Sequence, residues 1–131
     1  MSRIVLAAAL LMMGALPVRA QMPACAGAPT QKELNDCAAR EYKKHDAAMN
    51  ETYQQLVAKI KDAKQKTMLV DAEKACVAYR DKFCAFQSSQ TVGGTIHPLI
   101  VDACLDEKTT VHMAELKRQL DCKDGDPSCV H

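Results

Sequence analysis

Apolar side chains recur at helical spacing in three segments of the chain, with polar side chains between them. Steps of three, four or seven residues place such side chains on one face of an α-helix. Thr30 and Glu33 precede the first segment and form the capping-box sequence that begins helices. The pattern therefore predicts a first amphipathic helix over about residues 31–63. Its apolar face consists of Leu34, Ala38, Tyr42, Met49, Tyr53, Leu56 and Ile60.

Two further amphipathic helices are predicted over about residues 67–90 and 98–120. Gly93-Gly94 separates them, and Pro98 is tolerated in the first turn of a helix. The apolar residues of the second are Met68, Leu69, Ala72, Cys76, Tyr79, Phe83 and Phe86. Those of the third are Ile100, Ala103, Cys104, Val111, Leu116 and Leu120. No segment alternates in the manner of a strand, so we expect an all-α fold, a small antiparallel bundle of three helices.

The N-terminal segment has the pattern of a secretory signal. Arg3 precedes an apolar run over residues 4–16, and Val18 and Ala20 place short side chains at the two positions that a signal peptidase reads. We predict a signal peptide over residues 1–20, with export to the periplasm or cell envelope. A membrane anchor is the alternative, but the run is shorter than the roughly 20 residues that span a bilayer.

The remaining residues, 21–131, are predicted to form a single domain with no membrane span. Lipidation at Cys25 is an alternative for this end of the chain, but Met22-Pro23-Ala24 is a poor approach to a lipidation site. The predicted signal peptide contains Arg3 and Arg19, so 15 of the 17 basic residues remain against 16 acidic ones, a net charge of −1.

Composition and motifs exclude several classes of function. Three Tyr, two Phe and no Trp, without a basic excess, provide no nucleic-acid surface. The sequence lacks Gly-x-Ser-x-Gly, His-Glu-x-x-His and Cys-x-x-Cys, so we do not expect an enzyme or a cofactor. His97 has no Cys or His three or four residues further on, so no metal site is expected there either.

Seven cysteines follow the predicted signal peptide, and cysteines of exported proteins usually form disulfides. Cys84 and Cys104 are each ten positions from Gly94. An antiparallel hairpin of the second and third helices brings them level, and a disulfide needs Cα atoms only about 4.4–6.8 Å apart. We therefore predict a Cys84–Cys104 disulfide.

The other cysteines divide by position. Cys25 lies on an irregular lead-in that can fold back onto Cys37, and Cys122 and Cys129 flank a Lys-Asp-Gly-Asp-Pro turn. We predict these two pairs as disulfides. By elimination Cys76 is the free thiol, and its place in the apolar pattern of the second helix favours burial.

Polar residues on the first two helices are predicted to meet. If the chain turns near residues 65–66, Arg80 lies opposite Asn50 and one turn from Asp46. Arginine forms bidentate pairs with carboxylates, so a structural polar network is the favoured interpretation. The functional alternative is that Asp81 or Asp46 faces outward towards a cationic partner.

Ordered motifs along the chain resemble the LprI-type lysozyme-inhibitor domain. The first is Thr-Gln-Lys-Glu-Leu-Asn-Asp-Cys over residues 30–37, and the second is Tyr-Arg-Asp-x-x-Cys over residues 79–84. Gly93-Gly94 before Pro98 is a third, and the resemblance covers about residues 25–120. It implies a helical bacterial envelope protein that binds lysozyme or a related muramidase and protects peptidoglycan.

The chain departs from this resemblance at four positions. Cys76 stands where the family usually has Trp, and Glu73 where it usually has Gln. Lys108 and His112 replace a usual Leu and Arg. The loss of a large aromatic side chain predicts altered packing around Cys76.

The partner-binding residues are expected in the loop before the third helix and among nearby acids. A loop between two disulfide-bonded helices could enter a lysozyme cleft, because its ordering cost is partly met in the free protein. Equally, its glycines could serve only to reverse the chain. The candidates are Asp81, Gly93, Gly94, His97, Asp102 and Asp106.

Two other functions are weighed against inhibition. One is a structural or adaptor domain that binds another envelope protein through a helix face, which exposed apolar residues on the first helix would favour. The other is redox sensing through Cys76, which requires an accessible thiol.

Overall fold

The computed structural model describes residues 22–123 and 125–130; the predicted signal peptide lies outside them. No strand occurs in the described residues, which confirms the all-α prediction. None of the described helices is both long and apolar enough to cross a bilayer. A 3₁₀ turn at Pro23–Cys25 precedes three helices, α1 (Gln31–Lys59), α2 (Ala63–Ser88) and α3 (His97–Leu120).

Helix α1 begins at the capping box that the sequence predicts. The hydroxyl oxygen of Thr30 accepts a hydrogen bond from the Glu33 amide at 3.2 Å, and the Glu33 carboxylate accepts one from the Thr30 amide at 3.0 Å. Two amide groups that a helix start leaves without partners are thus satisfied. The buried residues of α1 are Leu34, Ala38, Met49, Thr52 and Leu56.

The turn between α1 and α2 occurs earlier than the sequence pattern predicts. Helix α1 ends at Lys59 rather than near residue 63, and α2 begins at Ala63 rather than near residue 67. The reason is Asp62, whose carboxylate accepts a hydrogen bond from the Gln65 amide at 2.8 Å and caps α2. The preceding Ile60 has an extended backbone and a buried side chain.

The three helices run up, down and up. Antiparallel packing of α2 on α3 brings Cys84 beside Cys104. Asn35 near the start of α1 contacts Thr95 just before α3, so the two helices start at the same end of the bundle. They therefore run in the same direction. At the far end, the Nζ of Lys59 donates to the Leu120 carbonyl at 2.8 Å.

The apolar core lies mainly between α1 and α3, and we call this contact the α1–α3 seam. The seam is the main apolar contact of the bundle, because both buried apolar clusters combine residues of α1 and α3. Burial of one large aliphatic side chain stabilises a fold by roughly 1.5–3 kcal/mol. One cluster consists of Met22, Cys25, Leu34, Ala38 and Leu99. The other consists of Met49, Leu56, Ile60 and Leu116.

Helix α2 buries a face that its apolar pattern does not predict. The buried residues are Glu73, Arg80, Cys84 and Ser88. Several residues of its apolar pattern face solvent, with exposed fractions of 62% for Met68, 59% for Tyr79 and 74% for Phe86. The expectation of a buried apolar face on α2 is therefore wrong for these residues, because polar contacts with the other helices fix its rotation. Leu69, Cys76 and Phe83 of the same pattern are half-buried.

Three disulfides connect six of the seven described cysteines, as the sequence pattern predicts. Their Cα–Cα distances of 5.6–5.8 Å lie in the ordinary range for disulfides. Cys76 is the free thiol. The disulfides are Cys25–Cys37, Cys84–Cys104 and Cys122–Cys129.

Candidate functional site

The α2–α3 loop, residues 92–96, is held by hydrogen bonds at its base. The Thr91 hydroxyl donates to the Ser88 carbonyl at 2.7 Å and lies 2.9 Å from the Nδ1 of His97. Since the hydroxyl proton is used on Ser88, His97 Nδ1 is the donor to Thr91. The Gly94 amide donates to the Thr91 carbonyl at 2.9 Å, which closes the turn.

The conformation of the loop requires its glycines. Gly93 has a φ of +82°, in the left-handed region that favours glycine. A Cβ on Gly94 would lie only 3.1 Å from the Thr91 carbonyl oxygen. The interpretation that the glycines reverse the chain therefore holds, and it is compatible with a binding role for the loop.

The loop is also tied to the first helix. The side-chain amide of Asn35 donates to the Thr95 carbonyl at 2.9 Å. Between these tethers two apolar side chains project, with exposed fractions of 72% for Val92 and 38% for Ile96. A rigid backbone with exposed apolar side chains is suited to contact another protein.

A groove of about 420 Å³ lies beside the loop. We call it the loop-end groove, and its walls include Tyr42, Asp81, Val92, His97 and Leu105. It brings together three regions that are distant in sequence: the middle of α1, the second half of α2, and the loop with the start of α3. Two of the predicted partner-binding residues, Asp81 and His97, line it.

Charged side chains of both signs lie near Tyr42, and the Arg80 guanidinium is 5.6 Å from the centroid of its ring. Burial raises the pKa of Tyr42, and the charges of Asp46, Asp81 and Asp102 raise it further, against the opposing effect of Arg80. Burial also raises the pKa of Asp102. Asp46 and Asp81 both pair with Arg80, so Asp102 is the acid near Tyr42 without that partner.

Asp106 has a different environment from the other acids. Its carboxylate lies 2.6 Å from the Nδ1 of His45, and only 17% of its side chain is exposed. This contact joins α3 to α1. The structure thus places Asp106 in a helix–helix contact instead of the loop-end groove.

Arg80 joins all three helices. Its Nη1 donates to Asp46 on α1 at 2.9 Å and to Thr109 on α3 at 3.1 Å, and its Nε donates to the neighbouring Asp81 at 2.9 Å. The side-chain amide of Asn50 donates to the carbonyl of Asp46 at 2.9 Å. The network contains the three residues that the sequence suggests, and it adds Thr109, which is fully buried.

A second contact between α2 and α3 was not foreseen from the sequence. The Nε2 of His112 lies 2.6 Å from a carboxylate oxygen of Glu73, and both side chains are largely buried. The second carboxylate oxygen of Glu73 is buried without a hydrogen-bond partner among the described residues. Two of the four departures from the family pattern are therefore in contact with each other.

Cys76 is half-buried next to this pair. Burial raises the pKa of the Cys76 thiol, and the charges of Glu73 and Glu115 raise it further. A raised thiol pKa leaves little thiolate at neutral pH, and the thiolate is the reactive form. This environment does not favour redox sensing.

Among the described residues, one group of potential metal ligands comes close together, namely Cys122, Asp126 and Cys129. The two cysteines form a disulfide, so they offer no thiolate to a metal ion. The group therefore gives no support for a metal site.

Comparison with known proteins gives one family and one relative. A family model described as "Lysozyme inhibitor LprI" matches residues 22–116. An uncharacterized protein of Rhizobium meliloti (strain 1021) is 32% identical over 129 residues, which covers 88% of this chain and 93% of the relative. No solved structure matches.

Proposed function

Because the chain belongs to the lysozyme inhibitor LprI family, we propose that it binds lysozyme or a related muramidase non-covalently and protects peptidoglycan. The observation that carries the proposal is the hydrogen-bonded α2–α3 loop with the exposed side chains of Val92 and Ile96. Inhibition by surface complementarity needs no cofactor and no catalytic residue. The proposed site is the loop together with the loop-end groove.

Rigidity of the loop supports its role in binding. A flexible loop would lose conformational entropy when it entered a cleft, and this cost would weaken the complex. Here Thr91, His97 and Asn35 hold the loop in the free protein. The disulfide between Cys84 and Cys104 further restrains the two helices that carry it.

Asp81 and Asp102 offer negative charge near the groove to a basic partner, although the Asp81 carboxylate also pairs with Arg80. Asp81 has more than half of its side chain exposed, and Asp102 lies near the same Tyr42 ring. A basic enzyme approaching this end meets opposite charge, which raises the association rate more than it raises affinity. A net charge of −1 after signal removal is small, so the local acids must supply this effect.

We further propose that the protein acts in the periplasm or cell envelope. The three disulfides are consistent with an oxidising compartment, because the cytosol keeps most thiols reduced. The predicted signal peptide supports the same location. Lysozyme reaches peptidoglycan in this compartment, so an inhibitor is needed there.

The test mixes purified residues 21–131 with a c-type lysozyme and, separately, with a bacterial lytic transglycosylase, and follows the lysis of peptidoglycan. We expect micromolar protein to slow at least one enzyme. Val92→Lys, which places a cation on the loop, should weaken the inhibition at least tenfold. Met68→Lys makes the same change at an exposed position near the start of α2 and should leave inhibition unchanged.

An adaptor domain that binds another envelope protein is the second candidate. The exposed side chains of Met68, Tyr79 and Phe86 favour it, since exposed apolar patches often mark interaction sites. The sequence hypothesis expects such exposed apolar residues on α1, whereas these three lie on α2. If neither enzyme is slowed or bound at micromolar protein, the inhibitor proposal fails and the adaptor takes its place.

A further inference from the structure

A pocket of about 170 Å³ opens between α2 and α3, away from the α2–α3 loop. We call it the Cys76 pocket. Its apolar wall is formed by Met49, Cys76, Val77 and Val111, and the side chain of Thr109 also lines it. Met49 and Thr109 are fully buried, so the pocket reaches the core of the bundle.

We propose that the Cys76 pocket binds one small aromatic ring, from benzene to indole in size. Its volume is the first reason. An engineered apolar cavity of about 150 Å³ stays free of water and takes up benzene, and the Cys76 pocket has a similar capacity. A drug-sized molecule needs roughly twice this volume or more.

The polar groups in the wall explain why the ligand is apolar. The Arg80 guanidinium already donates to Asp46, Asp81 and Thr109. The Nε2 of His112 is engaged by Glu73. Because these groups have partners, a polar ligand would lose its hydrogen bonds to water and gain few in return. A benzene-like ring loses none, and indole loses only the one made by its N–H.

Two features favour an aromatic ring over an aliphatic group. Met49 and Cys76 place sulfur atoms in the wall, and sulfur makes favourable contacts with aromatic rings. Lys108 also lines the pocket, and its Nζ already lies 5.1 Å from the centroid of the Phe83 ring. A second ring beside it would gain a similar cation–π attraction.

The pocket is open to a ligand without movement of the helices. Tyr79 and Val111 line it and are both more than half exposed, so they form its entrance. The proposal is independent of lysozyme binding, because it involves neither the α2–α3 loop nor the loop-end groove.

The test uses indole as the probe and the purified protein, residues 21–131. The chain has no tryptophan, so indole fluorescence excited at the red edge of tyrosine absorption reports on the ligand alone. We expect a saturable blue shift at millimolar or lower indole. Saturating indole should also slow the alkylation of Cys76 by iodoacetamide at least fivefold, because the thiol lines the pocket.

Two variants locate the site. Cys76→Phe places a ring in the pocket and should abolish the blue shift, whereas Ala78→Phe adds the same ring at an exposed position of α2 and should preserve it. If Cys76→Phe does not fold, the effect of indole on Cys76 alkylation in the wild-type protein tests the proposal. An alkylation rate that indole leaves unchanged up to its solubility limit overturns the proposal, as does a blue shift that Cys76→Phe retains.

Discussion

The α1–α3 seam and the contacts of α2 hold the bundle together in different ways. At the seam, Leu56 and Leu116 belong to a buried apolar cluster with no charged member. Helix α2 is joined to its neighbours by Arg80, by the contact of Glu73 with His112, and by the Cys84–Cys104 disulfide. Its aromatic side chains instead lie largely on the surface.

The seam contributes mainly to the stability of the bundle, whereas the contacts of α2 determine mainly the position of that helix. Apolar burial is non-directional, so the apolar clusters of the seam stabilise the bundle without defining a single rotation of each helix. The contact of His45 with Asp106 adds directional geometry between α1 and α3. Hydrogen bonds and disulfides require particular geometry, so the contacts of α2 determine how it lies on the other helices. A 3₁₀ turn at Ser89–Thr91 connects the end of α2 to the α2–α3 loop. The polar contacts of α2 therefore help to position the loop that we propose as the binding element.

Substitution in the seam should have the largest effect on stability. Leu56→Ala removes a buried side chain and should lower the free energy of unfolding by about 2–5 kcal/mol, through lost burial and a remaining cavity. Phe86→Ala removes a larger but exposed side chain from α2 and should cost about 0.5 kcal/mol or less. Urea unfolding of the two variants measures both values, and similar losses would contradict the comparison.

Removal of the Arg80 side chain tests the polar contacts. Arg80→Ala leaves Asp46 and Thr109 without their shared donor and should lower the free energy of unfolding by about 2–3 kcal/mol. Because Asp46 and Asp81 keep access to water, the loss stays below that expected for a fully buried ion pair.

The control for this change is the exposed neighbour, Lys82→Ala, which should alter stability by about 0.5 kcal/mol at most. The Arg80 variant should also weaken lysozyme inhibition by more than its loss of folded protein accounts for, because the loop loses its position. Unchanged stability in Arg80→Ala would show that the apolar seam alone holds α2.

A smaller, pH-dependent effect is expected at Asp102. Burial raises the pKa of this carboxyl group, so the folded protein holds the proton more tightly than the unfolded chain does. The resulting stabilisation is present at pH below the ordinary carboxyl range, and it is lost as the pH rises through the raised pKa. At neutral pH the charged group therefore opposes folding.

Asp102→Asn removes this charge and should raise the free energy of unfolding at pH 7 by less than about 1 kcal/mol. The gain should disappear below about pH 4, where the wild-type carboxyl group is also neutral. Urea unfolding at several pH values measures it, with the exposed Asp71→Asn as the control. A variant less stable than the wild type at pH 7 would contradict the expected sign.

The sequence predicts the α1 side of the seam well because one pattern determines it. On α3 the pattern misses the buried Leu99 and includes Val111, which is 56% exposed. The capping box of Thr30 and Glu33 sets the start of α1, and apolar spacing sets its buried face. The pairing of Cys84 with Cys104 follows from their equal distances to Gly94. The sequence pattern predicts the turn near Asp62 about four residues too far along the chain, because no Gly or Pro marks it and the cap is a single aspartate.

The contacts of α2 are harder to predict because they depend on side chains distant in sequence. Thr109 and His112 have no local feature that identifies them as partners of Arg80 and Glu73. Spacing alone therefore includes Met68, Tyr79 and Phe86 in the buried face of α2, and these side chains face solvent. Of the predicted partner-binding residues, Asp81 and His97 line one groove, whereas Asp106 contacts His45.

Hydrogen–deuterium exchange of the protein with and without a c-type lysozyme tests the central claim most directly. The account predicts slower exchange over residues 91–98 in the complex and unchanged exchange over residues 67–76, near the start of α2. Protection confined to α2 with an unaffected loop would contradict it, and would place the partner on the exposed apolar side of that helix.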